Sequence, residues 1–190
     1  MKTLKGSILS RSSHGTKGFE AQRREMIEKW LKENDIEGYT IKDDFTIDVD
    51  KYVDISNKNL KELPNYIQFG VIKGSFSCVF NNLSSLRGCP RKVNGFFNCS
   101  FNKLTSLERA PREVDGGFYC FRNNLTSLEG APEKVGGDFD CSNNYLTLLR
   151  GAPKEVRGYF DCSNNSILFT EEDVKVVCKV RRIVLNKAYL

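Results

Sequence analysis

The sequence predicts an α/β solenoid: a stack of short parallel strands with a helix-and-hairpin cap at its N-terminal end and a helical cap at its C-terminal end. Three observations lead there. Cys78, Cys99, Cys120, Cys141 and Cys162 are spaced 21 residues apart, and Phe76, Phe97, Phe118, Phe139 and Phe160 precede them by two. Asn81, Asn102, Asn123, Asn144 and Asn165 follow the cysteines by three, with Leu83, Leu104, Leu125, Leu146 and Ile167 two residues further on. On either side of this block the spacing gives way to helical patterns. Self-similarity at a period of about 20–50 residues marks stacked units, each too small to bury its apolar face alone.

Within one unit, Phe and Cys stand two apart, so in a strand both side chains face one way and their neighbours the other. Strands are expected near 75–79, 96–100, 117–121, 138–142 and 159–163, with Phe and Cys inward. The Asn that follows turns the chain; once buried, its amide must find backbone partners, including those of the neighbouring copy. Leu86, Leu107, Leu128 and Leu149 complete the apolar set. Pro90, Pro111, Pro132 and Pro153 cannot sit in a central strand and mark an outer return, which continues through Val93, Val114, Val135 and Val156. Gly74, Gly95, Gly116, Gly137 and Gly158 precede the strands, where either a positive φ or a close backbone approach calls for glycine.

The ends of the chain read differently. Residues 1–18 carry Lys2, Lys5, Arg11 and Lys17, no acid, and four serines, the composition of a flexible basic leader. A mitochondrial transit peptide shares that composition. Residues 19–52 form the N-terminal cap. Met26, Ile27, Trp30 and Leu31 share a helical face, read as a lid on the open end of the stack or as a docking helix. Tyr39 and Ile41, then Phe45, Ile47 and Val49, alternate as a hairpin whose five aspartates between 43 and 54 face solvent. The solenoid, 53–169, opens on a degenerate copy: Val53, Ile55, Leu60 and Leu63 match Phe76, Cys78, Leu83 and Leu86, but Lys58 replaces the Asn. Residues 170–190 form the C-terminal cap. Thr170 is placed as an N-cap before Glu171, Glu172 and Asp173, Val174, Val177 and Cys178 give an apolar stripe, and Ile183, Val184 and Leu185 suit a last strand. Lys179, Arg181 and Arg182 are expected late in that helix, where bases complement its dipole.

The pattern Phe-x-Cys-x-x-Asn-x-Leu-x-x-Leu resembles the leucine-rich repeat, with Phe and Cys standing for two of its leucines. The Gly-Ala-Pro-x-x-Val-x-Gly return, at Gly130–Gly137 and Gly151–Gly158, is similar to a short variant from bacteria and their phages. The first ten residues also resemble openings of small proteins of gut Bacteroidales and their phages. The resemblance implies a right-handed, leucine-rich-repeat-like stack. It selects no single function, because such scaffolds host unrelated binding roles.

Composition narrows the chemistry. A net charge of +5 is too mild to demand nucleic acid or a membrane, and no run of 18 apolar residues is present. Seven cysteines cannot all pair, and no close cysteine pairs suggest zinc, so a reduced cytoplasmic setting is expected (host cytoplasm or virion if phage-encoded). His14 is the only histidine and lies in the leader, which leaves the scaffold without a Ser–His or Cys–His arrangement. The expectation is therefore a non-catalytic module without cofactor or metal that binds a protein. A structural or assembly role anchored by the basic leader is the alternative; nucleic-acid binding and carboxylate-dependent hydrolysis rank below both.

The outward strand positions place that site. Period-two geometry assembles Phe96, Tyr119, Phe121 and Arg122 in an aromatic half, and Asp138, Asp140, Tyr159 and Asp161 in an acidic half. Exposed contiguous aromatics mark interaction surfaces. Asp140 and Asp161 should stand about 5 Å apart on adjacent strands, which costs stability unless compensated; Ca²⁺ or a basic partner residue would do so, the latter being favoured. Phe80 and Phe101 sit at the bend, where they either join this surface or tuck into the core. The outer face mixes bases with Glu108, Glu113, Glu129, Glu133 and Glu155 and reads as solubilising.

Overall fold

The computed structural model describes residues 13–185, with side chains from residue 18 onward. Most of the expected leader, and the final five residues, lie outside the described residues. The first element is α1 (Ser13–Glu33), which begins six residues before the expected Phe19 and so takes in the end of the segment read as leader. An antiparallel hairpin follows, β1 (Tyr39–Ile41) and β2 (Ile47–Val49), as the alternation predicts. Then come β3 (Val53–Asp54), β4 (Phe69–Ile72), β5 (Phe76–Ser77), β6 (Lys92–Val93), β7 (Phe97–Asn98), β8 (Glu113–Val114), β9 (Phe118–Tyr119), β10 (Lys134–Val135), β11 (Phe139–Asp140) and β12 (Glu155–Asp161). The chain continues through α2 (Glu171–Val177) and β13 (Lys179–Val184).

These strands build a β-solenoid of about seven turns. One parallel ladder, β3–β5–β7–β9–β11, aligns Phe76, Phe97, Phe118, Phe139 and Phe160 in register. A second, β2–β4–β6–β8–β10, aligns Val93, Val114, Val135 and Val156. The two merge in β12, and β13 pairs in parallel along it. The second ladder is what the sequence reading missed. It saw only a proline-marked return, whereas the residues just after each buried proline extend beside their equivalents and pair.

Packing explains the period. Each Phe ring lies 5.0–5.6 Å from the next along the column, and all five rings are wholly buried. Cys78, Cys99, Cys120, Cys141 and Cys162 are buried beside them, which confirms the inward register. At the N-terminal end Trp30 meets Phe69 at 6.3 Å, and Ile27 and Leu31 join the same core. Met26 does not: it is 43% exposed, so the buried face of α1 is narrower than the predicted one. At the other end Thr170 caps α2 through a reciprocal pair with Asp173, and Val174 reaches the core. Lys179, Arg181 and Arg182 lie on β13 rather than late in a helix, because α2 stops at Val177. Their expected dipole role does not apply.

The asparagine column carries the polar half of the stack. Asn102 Nδ2 donates to the carbonyls of Cys78 (3.0 Å) and Cys99 (3.1 Å), while its Oδ1 accepts from Leu83 N–H at 2.9 Å. Asn123 and Asn144 repeat this pattern one and two turns on. The column starts at Asn81, whose Oδ1 accepts from Lys58 and Leu60 N–H in the degenerate copy. Each amide thus bonds buried backbone groups of its own turn and of the preceding one, and each ladder-cysteine carbonyl from Cys78 to Cys120 accepts from two successive asparagines. The glycine column resolves to close approach: Gly116 N–H reaches the Gly95 carbonyl at 3.0 Å, and a Cβ at Gly116 would collide with it. Positive φ occurs instead at Gly88, Gly130 and Gly151.

Candidate functional site

Residues that alternate with Phe and Cys on the first ladder form the strand face. Of the eight predicted site residues, Phe96 and Arg122 are exposed, and Tyr119, Phe121, Asp138, Asp140, Tyr159 and Asp161 are half-buried. The structure gathers them into two clusters rather than one continuous strip. Ser100 and Ser142, each directly after a ladder cysteine, are buried, whereas the equivalent Val79, Phe121 and Ser163 are half-buried.

The first cluster joins Phe96, Tyr119, Asp138, Asp140, Tyr159 and Asp161. Phe96 meets Tyr119 edge-on at 6.3 Å. Tyr119 lies across Gly117, where any Cβ would strike its ring. Asp140 is in register with Tyr119 on one side and Asp161 on the other. Burial raises the Tyr119 hydroxyl's pKa, with Asp138 and Asp140 adding to it. Burial and the surrounding carboxylates push Tyr159 up to about 12, so both hydroxyls remain donors at neutral pH.

The carboxylates have a local role that the sequence reading did not foresee. Asp140 Oδ1 accepts from Ser142 N–H at 2.9 Å, and Asp161 Oδ1 from Ser163 N–H at 2.9 Å. Asn98 does the same for Ser100 at 3.0 Å, so the bond is made without a charge. Asp138 Oδ1 accepts from Tyr159 N–H at 3.0 Å. These bonds offset part of the like-charge cost between Asp140 and Asp161. Burial nonetheless holds the Asp140 carboxyl above its ordinary range; the Ser142 bonds pull it down, and Asp161 pushes it up again. Among the described residues no Lys or Arg pairs with Asp138, Asp140 or Asp161, and no group of three or more His, Cys, Asp or Glu is placed to hold a metal ion.

The second cluster contains Phe121 and Arg122 together with Phe80 and Phe101. Phe80 and Phe101 stack at 4.2 Å, Phe101 meets Phe121 at 5.3 Å, and Arg122 lies over the Phe101 ring at 5.3 Å. Phe80 is 51% exposed, which places it on the surface; Phe101 is half-buried beneath Arg122. The signal for this cluster was present in the repeat itself. The same position is Asn57, Asn143 and Asn164 in other copies, and Phe, Phe and Arg interrupt that run.

The outer ladder contrasts with the strand face. Glu113 pairs with Lys92, Glu129 with Arg150, Glu133 with Lys154, and Glu155 with Lys134 and Arg157. An open groove of about 720 Å³ crosses that side, lined by Glu113, Lys134 and Glu155 among others. Most of its charges pair with one another, although Arg112 and Asp115 form no ion pair among the described residues. In the core, the ladder thiols of Cys78, Cys99, Cys120 and Cys141 donate to carbonyls of the next turn at 3.3–3.5 Å. Burial keeps Cys99, Cys120 and Cys141 protonated; for Cys78 the neighbouring Cys89 thiol is the larger cause. Among the described residues no helix is long and apolar enough to cross a membrane. No protein-family model matches the chain, and neither a curated protein nor a solved structure matches it significantly.

Proposed function

We propose that this chain is a non-catalytic interaction module: a capped, leucine-rich-repeat-like solenoid that binds a partner protein through its strand face. One observation carries the reading. Three half-buried carboxylates stand beside Phe96, Tyr119 and Tyr159 without a cation among the described residues, while Glu113, Glu129 and Glu133 on the outer side are ion-paired. Aromatic residues dominate interface hot spots, and partly desolvated carboxylates favour a matching cation from the partner. The partner therefore presents an apolar side chain next to Lys or Arg. Buried, protonated thiols and carboxylates engaged with backbone N–H groups support a binding role over catalysis.

The test starts with a partner captured from the source cell and continues with measured binding of three variants. Tyr119→Ala and Phe121→Ala should each weaken binding by about 2 kcal/mol, mainly through faster release. Asp140→Lys should slow association and reverse its dependence on salt. Parental binding by all three would remove the strand face as the site.

A further inference from the structure

At one position of six successive turns the backbone enters the left-handed region: φ is 58° at Asn57, 53° at Phe80, 54° at Phe101, 53° at Arg122, 54° at Asn143 and 52° at Asn164. Asn tolerates this conformation better than other residues with a side chain, since its short amide bonds locally. Three turns use it, and three consecutive turns do not. Phe80, Phe101 and Arg122 are thus held in a strained backbone, each at a site whose low-energy solution appears elsewhere in the same chain. Strain of this kind concentrates where side chains are positioned for binding.

The surroundings define what would bind. Residues 57–61, 80–84, 101–105 and 122–126 contain Lys58, Lys61, Lys103 and Arg122 and no acid. None of these four bases forms an ion pair among the described residues. This border of the strand face is basic and aromatic, opposite in sign to the Asp138–Asp140–Asp161 corner. Phe80 and Phe101 already occupy each other's faces at 4.2 Å, which leaves no slot between them for a nucleobase.

We infer that the Phe80–Phe101–Arg122 row is a docking rail for a peptide segment of a protein partner in which a carboxylate neighbours an aromatic or leucine side chain. The inference rests on the strand-face reading and extends it: the face is bipolar, with acidic peptide at this border and basic peptide at the Tyr119–Asp140 corner. The apolar side chain lies against the exposed part of Phe80, and the carboxylate meets Arg122, which is already fixed over Phe101.

The experiment uses the full chain and three fluorescent probes read by anisotropy: a short peptide alternating Asp with Leu and Phe, its Lys-for-Asp counterpart, and oligo(dT). The Asp peptide should bind, weaken with salt, and lose affinity about tenfold in the Phe80→Asn/Arg122→Asn double variant. An Arg112→Asn control on the outer face should bind it like the parent. The double variant should melt no lower than the parent, because Asn relieves the strained backbone. Failure of the Asp peptide to bind, equal loss in the Arg112→Asn control, or tighter binding of oligo(dT) would overturn the rail. So would a clear drop in melting temperature, which would make the row a structural clamp. If the Lys peptide still binds and depends on Tyr119 and Asp140, only the rail falls; if neither peptide binds, the strand-face reading falls with it.

Discussion

Replacing Asn102 with Ala tests the polar column that holds the turns together. The side chain is buried and has strong bonds on both sides of its amide: Cys78 O, Cys99 O and Leu83 N–H. Alanine leaves the Leu83 N–H without a partner at a bend where neighbouring chain excludes water, and removes one of the two amides that donate to Cys78 O and to Cys99 O, the other being Asn81 Nδ2 and Asn123 Nδ2 respectively. The unsatisfied Leu83 N–H costs about 1–3 kcal/mol and the two weakened carbonyls about 0.5–1 kcal/mol each, and since the groups share one cavity their costs will not add in full; about 2–4 kcal/mol in total is expected. Asn102→Asp separates packing from hydrogen bonding. It keeps the shape and the acceptor for Leu83 N–H but turns a carboxylate oxygen toward two carbonyls, so it should be at least as damaging as alanine. Asn165→Ala supplies the internal comparison. Its equivalent bonds, to Cys141 O at 3.3 Å and Cys162 O at 2.9 Å, are only partly buried, and water can replace them at about 1–2 kcal/mol. Urea titration followed by circular dichroism reads all three, with midpoints compared at constant slope. Equal midpoints for the Asn102→Ala and Asn165→Ala chains, or a tolerated Asn102→Asp, would show that the column is not what joins the turns.

Phe118→Ala should cost about 3–5 kcal/mol, with Phe97→Ala close to it, since each ring is wholly buried between two others; the same titration measures both. Leu31→Ala should cost about 2–4 kcal/mol if α1 folds as part of the core, whereas an unchanged midpoint would mark the helix as an independent element. Asp140→Asn should raise the melting temperature at neutral pH, because Asn98 already performs the same hydrogen bond without charge. Folding raises the Asp140 pKa, so its favourable contribution is complete below the unfolded carboxyl range and is lost as pH rises through the folded value. The advantage of Asp140→Asn should therefore shrink as pH falls through that range; a constant advantage would exclude the carboxyl as its source.

By itself, the sequence determined everything that depends on recurrence. A 21-residue period with Phe, Cys, Asn and Leu in fixed columns permits few arrangements that bury all of them, so the parallel ladder and its inward register were legible. The hairpin at Tyr39–Val49, the missing ladder residue at Lys58 and the Thr170 cap were legible for the same reason: each is a local pattern with a local cause. What only the tertiary structure decided depends on distances between copies and on where the backbone bends. The Val column became a second ladder through contact with its neighbours, and Lys179–Val184 paired with β12 although nearby Thr170–Asp173 begins a helix. The carboxylates of Asp140 and Asp161 proved to close turns at Ser142 and Ser163, which charge alone does not reveal. Phe80 and Phe101 could not be assigned to core or surface from their spacing, because the left-handed φ at that position breaks the alternation that period-two reasoning assumes. That single dihedral turns the two rings onto the strand face and brings Arg122 over Phe101.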